Sequence, residues 1–302
     1  MRWFVKAGTF KLLSVTPGGG ALHHLLQDRV TGTTSVTDDK VLHKLELGAS
    51  YLAAVTARFP DLSRVRHADV GTGWMPTIPL LFHGAGIEDQ TLYDVDRHLQ
   101  RRTVAELVPV LDRLIDADPV LSGLAPRLVP SPGPGEPVDA YLEKVGMRYV
   151  APYTPEGLGS ERFELVTCTG VLPHIRTATL RPLLRAVSES LVEGGLFIAY
   201  VPLHDVYARF DPSITPYNKW RYPSFVWERL VDSRLMTFNR LTASGYRRLL
   251  EEAGLEIVSF ALTPPTRSDL ETLDRVTLHP DFASTPREEL AASSLVVVAR
   301  RP

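Results

Sequence analysis

The sequence has little cysteine, almost no net charge and no long hydrophobic run. Its single cysteine, Cys168, excludes an internal disulfide and a zinc site made of several cysteines, and it fits a reducing, cytoplasmic compartment. A formal net charge of -2 gives no electrostatic reason to expect nucleic acid as a partner. No apolar run reaches the roughly 18 residues of a membrane-spanning helix, so we expect no stable membrane insertion.

The composition is otherwise that of an ordinary globular protein. Hydrophobic residues make up 44% of the 302 positions and charged residues 23%. A chain of this length is long enough to bury a sizeable core as one large domain, or as one domain with a cap.

Residues 1–62 are predicted to form a helical cap. An opening helix is followed by a Pro-Gly-Gly-Gly break at 17–20, and a second helix is indicated by an apolar stripe of Leu42, Leu45, Leu47, Tyr51, Leu52 and Val55. The apolar face of the opening helix, formed by Trp3, Phe4, Ala7 and Phe10, can lie on a membrane surface or pack on the protein body. We favour packing on the body, because the helix is short.

From residue 66 onward, short apolar strands alternate with helices, which is typical of a mainly parallel sheet. Strands are predicted near 66–71, 91–96, 147–151, 163–168, 195–201, 255–262 and 294–300. A helix starting near 180 is expected to end at Gly194 or Gly195. The connection at 202–240 is unusually long and rich in aromatic residues, which predicts a lid over a binding pocket.

A glycine turn follows the first predicted strand. It places Asp69, Gly71 and Gly73 at the strand end, and the second strand is expected to end at Asp96. Glycines let the backbone approach a ligand closely, and an acid at the second strand can accept hydrogen bonds from ribose hydroxyls. A dinucleotide fingerprint requires a third glycine or an alanine where this chain has Pro76, which disfavours a dinucleotide.

With these motifs the chain resembles the class I S-adenosylmethionine-dependent methyltransferases over residues 64–300. The resemblance lies in four segments, which are the Asp-Val-Gly-Thr-Gly turn at 69–73, Asp96, the fourth-strand motif at 163–175 and the Leu-Val-Glu-Gly-Gly-Leu-Phe-Ile segment at 191–198. The sequence departs from the family where Met75 replaces a third glycine, so the turn after Trp74 must have a different shape.

The resemblance implies an α/β fold with a doubly wound, seven-stranded, mainly parallel sheet whose last strand is antiparallel beside the sixth. An N-terminal helical cap would cover residues 1–62, and an S-adenosylmethionine-binding Rossmann-like domain would cover residues 63–302. The lid insertion at 202–240 would belong to this second domain and would help to enclose the acceptor.

The resemblance also implies S-adenosylmethionine as the cofactor, bound across the carboxyl ends of the first strands. The implied cofactor-binding residues are Asp69, Gly71, Thr72, Gly73, Trp74, Asp96, Pro152, Tyr153, Cys168 and Thr169. Asp69 would hold the ammonium side, Asp96 the ribose and Tyr153 the adenine region. Two interpretations of Trp74 stay open: it packs on the cofactor, or it fixes the first helix to the cap. Cys168 is expected to pack in the core and not to act as a nucleophile.

His204 is the candidate catalytic base. It follows the fifth strand, and an imidazole can accept a proton from a substrate hydroxyl near neutral pH. Residues predicted to bind the substrate are His174, Asp205, Tyr217, Asn218 and Arg221. Asp205 could orient His204, although neighbours on a strand usually point apart. Together with Asp211 these side chains could instead bind a divalent ion, but we predict no metal.

The sequence therefore predicts an S-adenosylmethionine-dependent methyltransferase acting on a small molecule, by O-methylation of a sugar or a specialised metabolite. Two alternatives stay open: N-methylation of a small molecule, and a protein that binds the cofactor without methyl transfer, such as a cyclase or a regulatory subunit. The expected partner is a small-molecule acceptor and not nucleic acid, and a homodimer is compatible with the sequence.

Overall fold

The computed structural model describes residues 2–15, 35–127, 129–233 and 237–302. Its centre is one sheet of seven strands, which are β1 (Arg66–Val70), β2 (Asp89–Tyr93), β3 (Met147–Val150), β4 (Phe163–Thr169), β5 (Leu191–Pro202), β6 (Glu256–Leu262) and β7 (Ser294–Arg300). The strand order is β3-β2-β1-β4-β5-β7-β6. Strands β1 to β5 pair in parallel, and β7 runs antiparallel to both of its neighbours. This is the sheet of the class I methyltransferase fold that the resemblance implied.

Helices cover both faces of the sheet and extend beyond it. In chain order they are α1 (Trp3–Val15), α2 (Asp38–Arg58), α3 (Thr77–Ala85), α4 (Arg101–Ala117), α5 (Pro119–Leu124), α6 (Val138–Lys144), α7 (Pro155–Gly159), α8 (Thr177–Ser190), α9 (Ser224–Val231), α10 (Ala243–Glu252), α11 (Arg267–Asp274) and α12 (Arg287–Ala291). Short 3-10 turns occur at 62–64, 172–174, 206–209, 218–221 and 280–282.

Two apolar cores lie on opposite faces of the sheet. Because side chains alternate along a strand, Ala68 and Val70 of β1 belong to the core that includes α8 and α10. His67 and Asp69 point to the other face, where α2, α3 and α4 supply most of the second core. The His67 ring lies 4.9 Å from the Phe82 ring, centroid to centroid. Polar side chains of β1 therefore lie beneath the cap-side helices.

The predicted end of the second strand is wrong. Strand β2 ends at Tyr93, so Asp94 follows it directly and is buried, whereas Asp96 lies beyond the strand and is exposed. The middle of the strand was predicted correctly, but the strand ends earlier, at Tyr93 and not at Asp96.

The predicted helix stop at Gly194 or Gly195 is also wrong. Helix α8 already ends at Ser190, and β5 begins at Leu191. Gly194 has a φ of 73° within the irregular start of β5, where the pairing with β4 shifts between Phe163 and Leu165. Glycine is favoured there because residues with a side chain rarely adopt this positive φ.

The opening helix packs on the lid and not outward. Trp3 is 6% exposed and contacts the rings of Tyr207, Tyr222 and Trp227. The predicted apolar face is correct for Trp3 and Ala7, but Phe4 is 54% exposed. The side chain of Phe10 and the predicted break at 17–20 lie outside the described residues.

Helix α2 follows its predicted stripe with one exception. Leu42 is 37% exposed, while Val41 next to it is buried, so the buried face is rotated by one position at its start. In the part of the chain that the structure describes, no helix is both long and apolar enough to cross a membrane.

Candidate functional site

A cleft opens at the carboxyl ends of β1, β4 and β5, beneath α2. Its narrow part is lined by Lys44, Asp69, Gly71, Thr72, Met75, Ile78, Pro79 and Thr169. The adjoining cavity has a volume of about 510 Å³ and shares Lys44 and Thr169 with the narrow part. The other residues that line it include His43, Gly170, His174, Tyr200, Pro202, His204, Asp205, Arg209 and Phe238. The predicted glycine turn and the predicted base thus line two neighbouring cavities that have Lys44 and Thr169 in common.

Asp69 lies at the floor of the narrow part and is 5% exposed. Its Oδ1 accepts a hydrogen bond from the Thr167 hydroxyl at 2.8 Å, and its Oδ2 accepts one from the Thr72 hydroxyl at 2.9 Å. Two hydrogen bonds to different oxygens fix the orientation of the carboxylate. Such a carboxylate can hold a cationic group without further rearrangement.

Gly71 lets the turn pass close to the loop that follows β4. It has a φ of 79°, and a Cβ atom there would overlap the side chain of Val171. Its N–H donates to the Tyr93 carbonyl at 2.8 Å, which ties the turn to the end of β2. Gly73 has a φ of 69° and donates its N–H to Asp94.

Asp94, and not Asp96, is the acid beside the glycine turn. Its Oδ2 accepts from the Gly73 N–H at 2.7 Å and its Oδ1 from the Val95 N–H at 2.9 Å. Burial raises the pKa of Asp94, while these backbone hydrogen bonds act in the opposite direction. Val95, next to it, is 61% exposed. A buried acid next to an exposed apolar side chain can bind hydroxyl groups and an apolar ring side by side.

The two residues that the sequence analysis placed near the adenine, Pro152 and Tyr153, follow β3. Tyr153 is half-buried and donates its N–H to the Asp94 carbonyl at 3.1 Å, whereas Pro152 is exposed. Trp74 is half-buried, and its ring centroid lies 4.6 Å from that of His98. Trp74 does not line the narrow part of the cleft.

Lys44 is a site residue that the sequence analysis missed. It reaches from α2 to the glycine turn, where its Nζ donates to the Met75 carbonyl at 3.0 Å. Burial lowers the pKa of Lys44, and the neighbouring Asp69 carboxylate acts in the opposite direction. A lysine between two residues of an apolar stripe gave no signal in the sequence, because only the docking of α2 over the cleft brings it to the turn.

The end of β4 contributes Cys168 and Thr169. Cys168 is 1% exposed, and burial raises the pKa of its thiol, which makes it a packing residue. The Thr169 hydroxyl lies 3.2 Å from the hydroxyl of Tyr51 on α2. Thr169 lines both parts of the cleft.

His204 lies in the wall of the larger cavity. It is half-buried, and its Nε2 has no hydrogen-bond partner among the described residues. The ring contacts Tyr217 edge to face at 5.5 Å. Burial lowers the pKa of His204, so the imidazole is neutral at pH 7 and able to accept a proton.

Asp205 does not orient His204. Its carboxylate accepts from the Tyr207 N–H at 2.9 Å and from the Asn218 amide at 3.3 Å. Burial raises the pKa of Asp205 to about 6. It also lowers the pKa of Lys219, whose charge interacts with that of Asp205, to about 7.

The predicted alternative of a divalent ion involved Asp211, which points elsewhere and accepts from the Trp3 N–H at 2.7 Å. Among the described residues, no three His, Cys, Asp or Glu side chains are grouped in a way that could hold a metal ion.

Of the other predicted substrate residues, one lines the cavity, two are buried in the 202–240 connection, and Arg221 is exposed. His174 lines the cavity, and its Nδ1 lies 3.2 Å from the Thr237 carbonyl. Tyr217, Asn218 and Arg221 do not line it. The Tyr217 hydroxyl donates to Asp269 at 2.9 Å, which secures the lid to α11. Of the lid aromatics, Phe238 alone lines this cavity, so most of these rings hold the lid together.

Comparisons with known proteins give structural neighbours but no sequence relatives. No family model and no curated protein matches the chain. A methyltransferase from Mesorhizobium loti, described as S-adenosylmethionine-dependent, is 20% identical, with 85% of this chain and 100% of that chain covered and a TM-score of 0.42. The magnesium protoporphyrin IX methyltransferase of Synechocystis with bound SAH is 11% identical, with coverage of 86% and 84% and a TM-score of 0.44. The [4+2]-cyclase SpnF is 14% identical, with coverage of 84% and 80% and a TM-score of 0.44.

Proposed function

We propose that this chain, which has the class I methyltransferase fold, transfers a methyl group from S-adenosylmethionine to a hydroxyl group of a small molecule. The observation that carries the proposal is a pair of neighbouring cavities that share Lys44 and Thr169. The smaller is lined by Asp69 and the glycine turn, which donates the Gly73 N–H to Asp94, and the larger is lined by His204.

Three charged side chains match the polar groups of the cofactor. Asp69 would hold the ammonium, and Lys44, which lines the same narrow part, would hold the carboxylate. Asp94 would accept hydrogen bonds from the ribose hydroxyls, the role that the sequence analysis gave to Asp96. Val95 and Tyr153 would flank the adenine. The ammonium and the carboxylate of the cofactor would then each meet an opposite charge.

The chemistry requires alignment more than activation. The cofactor supplies an electrophilic methyl group when bound, and the protein orients the acceptor and excludes water, which can lower a barrier by roughly 7–11 kcal/mol. His204, which lines the larger cavity, would take the proton of the acceptor hydroxyl. Asp205 also lines the larger cavity, and the nearby positive charge of Lys219 favours its ionised form.

Methyl transfer is tested by incubating the purified protein with methyl-labelled S-adenosylmethionine and a panel of small hydroxylated and aminated compounds. We expect labelled product and an equal amount of S-adenosylhomocysteine with a hydroxylated compound. Label on amines alone would support N-methylation. Tight cofactor binding with no transfer to any compound would support the cyclase or regulatory alternative, and no binding would contradict the cofactor assignment.

Lys44→Met is expected to weaken S-adenosylhomocysteine binding about tenfold, since the cofactor carboxylate loses a partner worth roughly 1.4 kcal/mol. Methionine keeps the length and the apolar stem of the buried lysine. Lys40 is half-buried on the same helix, and its Nζ donates to Ser35. Lys40→Met is the matched control and should bind like the wild type. Equal affinities of both variants in calorimetry would show that Lys44 does not contact the cofactor.

A further inference from the structure

A line of hydrogen bonds runs behind the cofactor cleft through the middle of the sheet. Thr167 pairs with Asp69 across β4 and β1, and Gln90 pairs with His67 across β2 and β1. Since residues 67 and 69 share a face of β1, the four side chains meet in one row. All four are at most 5% exposed.

Gln90 determines that the Nδ1 atom of His67 carries a hydrogen. Its amide nitrogen donates to the carbonyls of Pro79 at 2.9 Å and Ile87 at 3.0 Å. A reversed amide would place oxygen against both carbonyls, so Gln90 Oε1 must face the His67 ring. Because Oε1 only accepts, the His67 Nδ1 at 2.8 Å from it carries a hydrogen.

The Thr167 hydroxyl is shared by two acceptors. Its Oγ1 lies 2.7 Å from His67 Nε2 and 2.8 Å from Asp69 Oδ1. It has a single hydrogen, which can lie along only one of these directions. With a neutral imidazole and an ionised carboxylate, one of the two contacts would join lone pairs without a hydrogen. A second hydrogen, on His67 or on Asp69, completes both bonds.

We propose that His67, Thr167 and Asp69 together hold one extra proton, compared with a neutral His67 and an ionised Asp69. When the cofactor ammonium binds beside Asp69, this proton is released to solvent. His67 then acts as a positioning residue through Thr167. In the protein without cofactor, His67 and Asp69 together then carry no net charge, which suits a buried site. This inference rests on the proposed placement of the ammonium at Asp69.

The neighbouring charges fit a proton that is held but can be released. Burial lowers the pKa of His67, while Asp69 and Gln90 act in the opposite direction. The titratable groups that face Asp69 are Lys44 and Tyr51 on α2, Asp94 after β2 and Cys168 on β4. Of these four side chains, Lys44 is the cationic one. The ammonium of the cofactor would add a second positive charge beside Asp69, which favours loss of the proton.

The experiment compares S-adenosylhomocysteine binding to the wild type, H67Q and H67N by calorimetry. Measurements between about pH 7 and about pH 8.5, in buffers of different ionisation enthalpy, give the number of protons released. We expect the wild type to release a substantial fraction of a proton, and its affinity to rise with pH by at most about tenfold per unit. H67Q keeps a permanent donor toward Thr167 and should bind without this release. H67N keeps the contact with Gln90 only and should bind more weakly, also without the release.

A wild type that binds with the same proton balance as H67Q would overturn the inference while leaving the proposed function intact. If the wild type does not bind at all, the proposed function fails. Histidine NMR of the free protein then tests whether the extra proton is present. The His67 signals are expected to change with pH in the wild type and to stay those of a neutral imidazole in the T167V variant. Signals that do not move in the wild type would refute the stored proton.

Discussion

Replacing Asp94 with alanine is expected to weaken S-adenosylhomocysteine binding by about 100-fold. The carboxylate would accept hydrogen bonds from two ribose hydroxyls, each worth roughly 1.5 kcal/mol because the acceptor is charged. Asp94 also accepts from the Gly73 N–H, so its loss loosens the glycine turn. Calorimetric affinity measures the effect, and chemical unfolding shows whether the fold is retained.

Two variants separate ribose binding from support of the turn. Asp94→Asn keeps an acceptor for the Gly73 N–H and should lose about tenfold in affinity, roughly one charge-assisted hydrogen bond. Asp96→Ala removes an exposed side chain beyond the strand and should bind like the wild type. A large loss in Asp96→Ala with little loss in Asp94→Ala would restore the original sequence-based assignment and contradict the structural one.

His204→Ala is expected to lower turnover on a hydroxylated acceptor by about 10²- to 10⁴-fold, the usual contribution of a general base. Affinity for S-adenosylhomocysteine should not change, because His204 lines the larger cavity and not the narrow part. The rate in single-turnover assays measures the effect. Near-normal turnover of His204→Ala would mean that water or another group accepts the proton.

The pH dependence gives an independent check on the same residue. Burial lowers the pKa of His204 below its ordinary value of 6.5, so the imidazole stays neutral down to mildly acidic pH. The rate should therefore be flat through neutrality and should fall only when the pH drops below 6.5 and His204 becomes protonated. His204→Ala should not show this acidic limb. A wild-type rate that still rises well above pH 7 would point to another base.

Much of the fold could be predicted because its signals are local. Short apolar segments that alternate with helices marked all seven strands, and the antiparallel last strand followed from the family resemblance. The boundaries were less certain. Helix α8 ends four residues before Gly194, because the positive φ of this glycine belongs to the irregular start of β5 and not to the end of the helix.

The site was predicted in part for the same reason. Asp69 and Gly71 line the cleft because they follow a strand end that the sequence marks clearly. Asp94 and Asp96 could not be separated, since residues two apart share a face of an extended chain and only the strand end decides which is buried. Tyr217 resembled a pocket residue, but its hydroxyl is bound by Asp269, which is 52 positions away.

Residue order and apolar periodicity specified the sheet, the position of the glycine turn and the strand after which His204 lies, because each depends on residues close together in the chain. The placement of Lys44 over the turn, the choice of Asp94 over Asp96 and the row from Gln90 to Asp69 came from the folded arrangement. Each of these depends on how separate helices and strands pack and on the register between strands, and no local pattern encodes such distances.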